Sequence, residues 1–168
     1  MKIIVIGDIS SGKSTFASKL GEALQLPVVH LDEIMDSIGR TNKDAIKNFI
    51  DKETKKESWI IDGNAFTKDK NKRIHIADVI FVFNLNPFIS MYRHFLRYVK
   101  INYKNEKRLG STYSKLNLSY YIPYIFFKFP KRKKDAISLA KSLNKKVIMI
   151  NNYSEANYYI SNKISAFL

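Results

Sequence analysis

The sequence contains no cysteine, and this absence excludes disulfides, thiolate metal sites and cysteine nucleophiles. Long apolar runs are also missing. The longest, residues 120–127, contains Pro123 and is followed by Lys128. A membrane span needs roughly 18 apolar residues, so this run is too short to be one. The opening residues MKIIVIGD form too short an apolar stretch for a secretion signal. We therefore expect a cytoplasmic protein without a membrane span.

Acidic residues are scarce in the second half of the chain. Residues 1–84 contain 13 Lys and Arg against 12 Asp and Glu, a net charge of +1. Residues 85–168 contain 16 against 3, a net charge of +13. This asymmetry indicates an anionic partner, or a polyanionic substrate that the basic half encloses. The 168 residues are enough for one domain with its own hydrophobic core, which we place at 1–168.

Short apolar runs alternate with segments of helical spacing along the chain. The runs predict five strands of a parallel sheet, at residues 2–6, 27–31, 58–62, 79–83 and 146–150. The helical spacing predicts helices at about 14–24, 43–56, from Pro87 past Arg97, at 117–143 with interruptions at Pro123 and Pro130, and at 155–167. Residues 101–116 are polar and basic, which predicts a mobile loop. The alternation predicts an α/β fold with right-handed crossovers.

Residues 7–15, GDISSGKST, match the phosphate-loop pattern G-x-x-x-x-G-K-[ST] between a predicted strand and a predicted helix. The glycines let backbone N–H groups turn inward, and the start of the helix adds its positive dipole end. The lysine of the pattern reaches the β- and γ-phosphates, and the serine ligates Mg²⁺. We therefore predict that the protein binds ATP and Mg²⁺, with the nucleotide held by Gly7, Asp8, Ser10, Ser11, Gly12, Lys13, Ser14 and Thr15.

A carboxylate is expected near the magnesium ion, at the end of a neighbouring strand. Asp62, which closes WIID, is the first candidate, and Asp32, after the second strand, is the other. Both follow the carboxyl ends of predicted parallel strands, where ligands bind in open α/β sheets. The predicted metal ligands are Ser14 and Asp62.

Asp8 is an unusual residue for a loop that holds a polyanion. A carboxylate about 8 Å from a phosphate costs on the order of 2 kcal/mol per charge at an effective dielectric near 20. We hypothesise that Asp8 points away from the phosphates, toward the acceptor cleft or a basic residue such as Arg132.

The order of four motifs resembles that of the adenylate-kinase-like nucleoside and nucleotide kinases. These motifs are the phosphate loop, HLDE (30–33), WIIDGN (59–64) and NLNPFISMYRHFLR (84–97). The chain resembles more narrowly the bacterial DNA topology modulation proteins of the FlaR type, as far as FPKRKK (129–134). The resemblance implies a P-loop fold of three α/β/α layers with a five-stranded parallel sheet and a helical basic lid at about 98–133.

The resemblance also implies roles for single residues. Asp62 matches an acid that holds water on Mg²⁺. Arg93 matches an arginine against the adenine, and Arg97 one that reaches the phosphates; their four-residue spacing places both on one helix face. Arg132 resembles the basic residues that return from the lid. The positive charges around the transferring phosphoryl group would be Lys13, Arg93, Arg97 and Arg132.

The chain departs from adenylate kinases after Asp62-Gly63. It continues Asn64-Ala-Phe where those kinases have Phe-Pro-Arg, whose arginine binds the AMP phosphate, so AMP is not the implied acceptor. Hydrogen-bonding groups for a polyol, a nucleoside sugar or a base are instead offered by His30, Asp32, Glu33 and Asn64. Asp32 or Glu33 would orient or deprotonate the acceptor hydroxyl.

Three functions follow from this pattern. The first is an ATP-dependent kinase of a nucleoside, nucleotide or other small hydroxylated molecule. The second is a nucleic-acid-binding P-loop protein, favoured by the basic half and by tyrosines among its basic residues: Tyr92, Tyr98, Tyr103, Tyr113, Tyr120, Tyr121 and Tyr124. The third is a nucleotide-binding regulator that transfers no phosphoryl group.

Overall fold

The computed structural model describes residues 1–64, 70–103 and 118–162, and a five-stranded parallel sheet lies at its centre. The strands are β1 (Lys2–Ile6), β2 (Val28–His30), β3 (Trp59–Asp62), β4 (Val79–Phe83) and β5 (Lys146–Ile150). Their order across the sheet is β2-β3-β1-β4-β5. All five predicted strands are confirmed, and the strand that precedes the phosphate loop lies in the middle.

Eight α-helices occur in the described part of the chain. They are α1 (Lys13–Leu24), α2 (Leu31–Ile38), α3 (Lys43–Thr54), α4 (Lys70–Ile76), α5 (Pro87–Tyr103), α6 (Leu118–Pro123), α7 (Phe129–Ser142) and α8 (Tyr153–Ser161). None of them is long and apolar enough to cross a membrane. Of the predicted mobile loop and lid, residues 104–117 lie outside the described residues, as do residues 163–167 of the predicted last helix.

Side chains alternate between two hydrophobic cores, one on each face of the sheet. Ile4, Ile61 and Ile80 belong to one core, which α3, α4 and α7 cover. Their chain neighbours Ile3, Ile60 and Phe81 belong to the other, which α1 and α8 cover. Because successive strand residues point to opposite faces, apolar runs without alternation require helices on both sides. The structure therefore has the predicted three layers.

Two helices were not predicted from the sequence. Helix α2 begins directly after β2, so Asp32 and Glu33 lie in its first turn rather than in a loop. Acidic residues are favourable there because the amino-terminal end of a helix carries partial positive charge. Helix α4 is only seven residues long and strongly basic, and such a short segment carries little periodic signal.

The sequence predicted that the two prolines between 117 and 143 interrupt the helical run, but the run continues through both. A π-helical segment, Tyr124–Lys128, joins α6 to α7, with Pro123 before it and Pro130 after it. Each proline removes one amide donor from a helix. The wider turn between them is closed by a hydrogen bond from Phe129 N to Tyr124 O. Segments of this kind are frequent at functional sites.

The strand register brings the predicted motifs to one edge of the sheet. Asp62 pairs with His30 on one side and with Val5 on the other. The phosphate loop, the start of α2 and residues 62–64 therefore meet where the three parallel strands end, as the sequence predicted for ligand-binding residues.

Candidate active site

The phosphate loop is shaped by two glycines that other residues could not replace without strain. A Cβ atom on Gly7 would lie 2.6 Å from Ser11 Oγ and 2.9 Å from Phe83 Cβ. Gly12 has a φ of +87°, a left-handed conformation that L side chains rarely adopt. Gly12 also precedes α1 without a side-chain cap, so no capping side chain takes the N–H groups of the first turn. The loop therefore has the donors that bind phosphate at a helix start.

The side chains of the loop differ in exposure. Ser10 Oγ and Ser11 Oγ are buried and have no hydrogen-bond partner among the described residues. The side chain of Lys13 is also buried, whereas Ser14 and Thr15 are exposed on the first turn of α1. A loop with buried hydroxyls that have no partner and with a mostly buried lysine is suited to a polar anionic ligand.

Asp62 is joined to α1 through two side chains. Asp62 Oδ2 lies 2.9 Å from His30 Nδ1, and His30 Nε2 lies 3.1 Å from Ser18 Oγ. The Ser18 hydroxyl donates to the carbonyl of Ser14 at 3.1 Å. The hydrogen bond with Asp62 raises the pKa of His30 above its ordinary value of 6.5, against the opposing effect of burial.

The predicted magnesium ligands fit that ion. Asp62 Oδ1 is buried and has no hydrogen-bond partner in the part of the chain that the structure describes, whereas Oδ2 is held by His30. Nowhere in the described ranges do three His, Asp or Glu side chains converge as a cluster. Mg²⁺ is commonly held by one or two carboxylates together with substrate phosphates and water. The free oxygen of Asp62 and the hydroxyl of Ser14 are the donor atoms predicted for Mg²⁺, and Asp32, the other candidate carboxylate, lines the cavity beside Lys13.

Both polar atoms of the Asn64 side-chain amide form hydrogen bonds with the backbone of Gly7. Asn64 Oδ1 accepts from Gly7 N at 3.2 Å, and Asn64 Nδ2 donates to Gly7 O in a short contact. Nδ2 also lies 3.5 Å from the hydroxyl of Tyr124. The sequence predicted Asn64 as a substrate-binding residue, and the structure gives it a direct contact with the phosphate loop.

A cavity of about 220 Å³ opens beside Lys13. Its lining includes Asp32 and Met35 of α2, Arg40 after the end of that helix, and tyrosines of the α6–π run. The full lining is Ile9, Lys13, Asp32, Met35, Arg40, Asn64, Tyr120, Tyr121, Tyr124 and Arg132. Of the four residues predicted to bind the acceptor, the cavity includes Asp32 and Asn64. His30 and Glu33 do not line it, and the charge of Glu33 acts on His30 instead.

Arg93 lies at the mouth of the phosphate loop. Its guanidinium carbon is 4.1 Å from the ring centroid of Tyr153, and its Nη1 donates to the Tyr153 hydroxyl in a short contact. That hydroxyl in turn donates to Ser11 O at 3.2 Å. A Cβ atom on Gly12 would lie 3.8 Å from Arg93 Nη1. Arg93 is therefore adjacent to the loop, as its predicted role against the nucleotide requires.

The two other predicted arginines lie on different elements. Arg97 is half-buried one turn further along α5, and its charge lowers the pKa of His94, after the larger effect of burial. Arg132 of α7 lines the cavity, with its guanidinium carbon 6.0 Å from the Tyr124 ring centroid. Arg93 of α5 thus lies at the loop and Arg132 of α7 at the cavity, whereas Arg97 lies beside His94.

Asp8 is a buried residue of the phosphate loop. Its Oδ1 accepts from Ile9 N at 2.7 Å. Burial raises the pKa of Asp8 from 3.8 to about 6, although the Ile9 hydrogen bond lowers it. The cations that act on Asp8 are Lys13 and Lys133, whereas our hypothesis named Arg132. Successive helix residues differ by about 100° in direction, so Arg132 and its neighbour Lys133 face different groups.

Lys133 is one of several site residues that sequence reasoning did not identify. Its Nζ donates to Asn84 Oδ1 at 2.6 Å, at the carboxyl end of β4. Tyr153 follows the carboxyl end of β5, a position that the rule for parallel sheets would have singled out. Ser18 lies one helical turn after Ser14, and this spacing could have identified it from the sequence as a neighbour of the phosphate loop. The other residues are Arg40, Tyr120, Tyr121 and Tyr124 around the cavity.

The chain matches no protein-family model, and no curated protein is similar to it in sequence. Solved structures match its fold over nearly the whole length. A shikimate kinase from Bacteroides thetaiotaomicron is 12% identical, with 99% of this chain and 98% of that chain covered and a TM-score of 0.59. A deoxyadenosine kinase from M. mycoides with bound dATP is 12% identical, with 98% and 99% covered and a TM-score of 0.60. A gluconokinase from Sinorhizobium meliloti 1021 is 10% identical, with 99% and 92% covered and a TM-score of 0.53.

These similarities confirm the predicted fold class, since a five-stranded parallel sheet with helices on both faces is common to this chain and P-loop kinases. At identities of 10–12% the likeness is one of fold. The narrower resemblance to the DNA topology modulation proteins stays a prediction.

Proposed function

We propose that the protein transfers the terminal phosphoryl group of Mg-ATP to a hydroxyl group of a small acceptor. The observation that carries this proposal is the cavity of about 220 Å³ that Lys13 of the phosphate loop and Asp32 of α2 both line. A phosphate-binding lysine and a carboxylate on one small cavity are what phosphoryl transfer to a bound hydroxyl requires. The kinase fold of the structural neighbours supports the same class of reaction.

On the donor side, the inward N–H groups of the loop and Lys13 would bind the β- and γ-phosphates. Arg93 would lie against the nucleotide at the mouth of the loop, and Arg97 would add positive charge. Ser14 and Asp62 would hold Mg²⁺, which when bound neutralises charge on the phosphates. These groups act by position and charge, which is most of what this reaction asks of a protein.

On the acceptor side, Asp32 would orient the hydroxyl group and accept its proton. The hydroxyl oxygen forms a bond to the terminal phosphorus while the bond to the bridging oxygen breaks. ADP leaves, and the hydroxyl proton passes to the Asp32 carboxylate. Arg132, on the cavity wall, would stabilise the negative charge of the transferring group.

The lining of the cavity indicates the chemistry of the acceptor. Tyrosine side chains line it together with the carboxylate of Asp32 and the guanidinium groups of Arg40 and Arg132. A sugar or a nucleoside combines hydroxyl groups with a flat or apolar face that matches the tyrosine rings, and a polyol offers hydroxyl groups to the charged side chains.

The test is ADP release by the purified protein with Mg-ATP and a panel of polyols, sugars, nucleosides and nucleotides. At least one acceptor should raise ADP release well above that of Lys13→Ala. Lys19→Ala is the matched control, because Lys19 is exposed on the same helix. If no acceptor raises ADP release above the Lys13→Ala level, the proposal is wrong.

The nucleic-acid alternative has less support once the tyrosines are located. Tyr121 is buried, Tyr124 is half-buried against the cavity, and Tyr113 lies outside the described residues. A buried ring cannot stack on a nucleic-acid base. Exposed rings remain at Tyr92, Tyr103 and Tyr120. A steep fall of single-strand affinity with added salt would favour the alternative.

A further inference from the structure

The two predicted magnesium ligands are joined by a line of polar contacts. It runs from Asp62 to His30 (2.9 Å), from His30 to Ser18 (3.1 Å) and from Ser18 to the carbonyl of Ser14 (3.1 Å). Its ends lie on the carboxyl end of β3 and on the first turn of α1. The line therefore connects the end of the strand that carries Asp62 to the helix turn that carries Ser14. All three contacts are hydrogen bonds at once when both ring nitrogens of His30 carry a proton, because the single hydroxyl proton of Ser18 goes to Ser14 O.

One oxygen of the Asp62 carboxylate is held, and the other is not. Oδ2 is bound by His30, whereas Oδ1 is buried without a hydrogen-bond partner among the described residues. The Asp62 side chain is 4% exposed and that of His30 22% exposed. A carboxylate fixed at one oxygen presents the other in a constant direction, and a buried oxygen without a partner is costly unless a ligand supplies one.

His30 is well placed to hold Asp62. The two residues are register partners on the neighbouring strands β2 and β3. Backbone pairing thus sets their separation before the side chains meet. On its other side, His30 meets Ser18, whose hydroxyl is bound to Ser14 one turn earlier on α1. Both ring nitrogens are therefore engaged, which fixes the ring orientation.

We propose that His30 and Ser18 are positioning residues that hold Asp62 and the first turn of α1 at the separation needed to bind Mg²⁺ with the nucleotide. The proposal rests on the proposed function only for the identity of the metal-nucleotide ligand. It gives His30 a different role from the acceptor binding predicted from the sequence, and it agrees with the absence of His30 from the cavity lining.

The experiment measures Mn²⁺ binding by electron paramagnetic resonance, with the protein saturated by an ATP analogue that cannot be cleaved. His30→Ala should weaken Mn²⁺ binding roughly tenfold to a hundredfold, the usual effect of removing a partner of a metal ligand. Ser18→Ala should weaken it by a smaller factor. Because the two residues form one line, the double variant should bind Mn²⁺ no more weakly than His30→Ala alone. His30→Gln keeps an amide donor for Asp62 and should recover part of the affinity.

Binding of the same analogue in EDTA separates positioning from general damage. It should be the same in His30→Ala, Ser18→Ala and the wild type, since the loop and Lys13 bind phosphate without the metal. Equal losses with and without metal would show a structural role, and unchanged Mn²⁺ affinity in both single variants would also overturn the proposal. Ser18→Ala removes only one oxygen, so it keeps the test valid if His30→Ala does not fold.

Failure of the proposed function gives a different result. A wild-type protein that binds the Mn²⁺–nucleotide complex but phosphorylates no acceptor would contradict the kinase proposal. In that protein, weaker Mn²⁺ binding by His30→Ala would still support the positioning role. A wild-type protein that binds neither metal nor nucleotide would overturn both.

Discussion

The side-chain amide of Asn64 binds both backbone polar groups of Gly7, accepting from its N–H at 3.2 Å and donating to its carbonyl. The contact joins the end of β3 to the first residue of the phosphate loop, 57 positions earlier in the chain. The loop is thereby attached to the sheet edge that carries Asp62. This relationship gives Asn64 a measurable effect on nucleotide binding.

Asn64→Asp should weaken nucleotide binding and lower stability. The carboxylate can accept from Gly7 N but cannot donate to Gly7 O, and it places negative charge beside the phosphate site. Leaving a buried carbonyl without its donor costs about 1–3 kcal/mol. We expect a lower free energy of unfolding in urea and, by calorimetry, at least about a fivefold weaker affinity for an ATP analogue.

Asn48→Asp is the control, because Asn48 is exposed on α3. It makes the same chemical change away from the loop and should alter neither quantity. Equal nucleotide affinity in Asn64→Asp and the wild type would contradict the role of the Asn64–Gly7 contact.

Asp8→Asn should stabilise the protein at neutral pH. The pKa of Asp8 is about 6 in the folded protein against 3.8 for the ordinary group, so the folded state favours the protonated form. The free energy of unfolding therefore falls as pH rises from 3.8 to about 6, and the loss persists above pH 6. Each pKa unit is worth about 1.4 kcal/mol, so the gain from Asp8→Asn at pH 7.5 should be on the order of 3 kcal/mol.

The measurement is urea unfolding between pH 3.5 and 8. The gain should shrink as pH falls through 6 and vanish below 3.8. Asp135→Asn, which changes an exposed carboxylate on α7, is the control for the general effect of net charge. A gain of the same size at every pH would show that ionisation of Asp8 is not its cause.

Tyr153→Phe should raise the KM for ATP with little change in kcat. The hydroxyl of Tyr153 accepts from Arg93 and donates to Ser11 O, so it holds Arg93 at the mouth of the loop. Phenylalanine keeps the ring under the guanidinium but removes both hydrogen bonds. A hydrogen bond contributes about 0.5–1.5 kcal/mol, which predicts a rise of roughly twofold to tenfold in KM.

Tyr158→Phe is the matched control, because Tyr158 is exposed on the same helix and its change should leave KM unaltered. If Tyr153→Phe lowers kcat while KM stays the same, the hydroxyl acts in the transition state rather than in binding.

Asp32→Asn should lower kcat while the affinity for the ATP analogue stays the same. The amide cannot accept the acceptor's proton, and general bases contribute roughly 10²- to 10⁴-fold in rate. Steady-state kinetics with the best acceptor of the panel gives kcat, and calorimetry gives the affinity. Asp44→Asn, exposed at the start of α3, should change neither. Full activity of Asp32→Asn would exclude it as the base.

The strands were predictable because the pattern that identifies each one lies within a few neighbouring residues. Each is an apolar run without alternation, and such runs require cover on both faces. Helix α2 was not predictable in the same way, because LDEIMDSI follows β2 without a turn residue and its acids suited a strand end equally well. The prolines of 117–143 predicted breaks, and the π-helical segment between them kept the run helical.

The candidate site also contains residues that were predictable from local sequence and residues that were not. The phosphate loop, with Lys13 and Ser14, was predictable because its pattern spans eight consecutive positions, and Asp62 was predictable because it ends a strand. Arg132 and Lys133 are adjacent in sequence, yet one lines the cavity and the other donates to Asn84. Tyr153 reaches Ser11 across 142 positions of the chain. Such pairs depend on which helix face meets which strand end.

The sequence by itself determined the α/β fold class and the phosphate loop with its unusual Asp8, because periodicity and short motifs are properties of neighbouring residues. Only the tertiary structure decided the strand order β2-β3-β1-β4-β5, and with it the meeting of His30, Asp62 and Ser18. It also decided that Asp8 is buried where the charges of Lys13 and Lys133 act on it. Burial and charge proximity arise from packing between distant segments, and they set the pKa of Asp8 and the side-chain partners of Asp62.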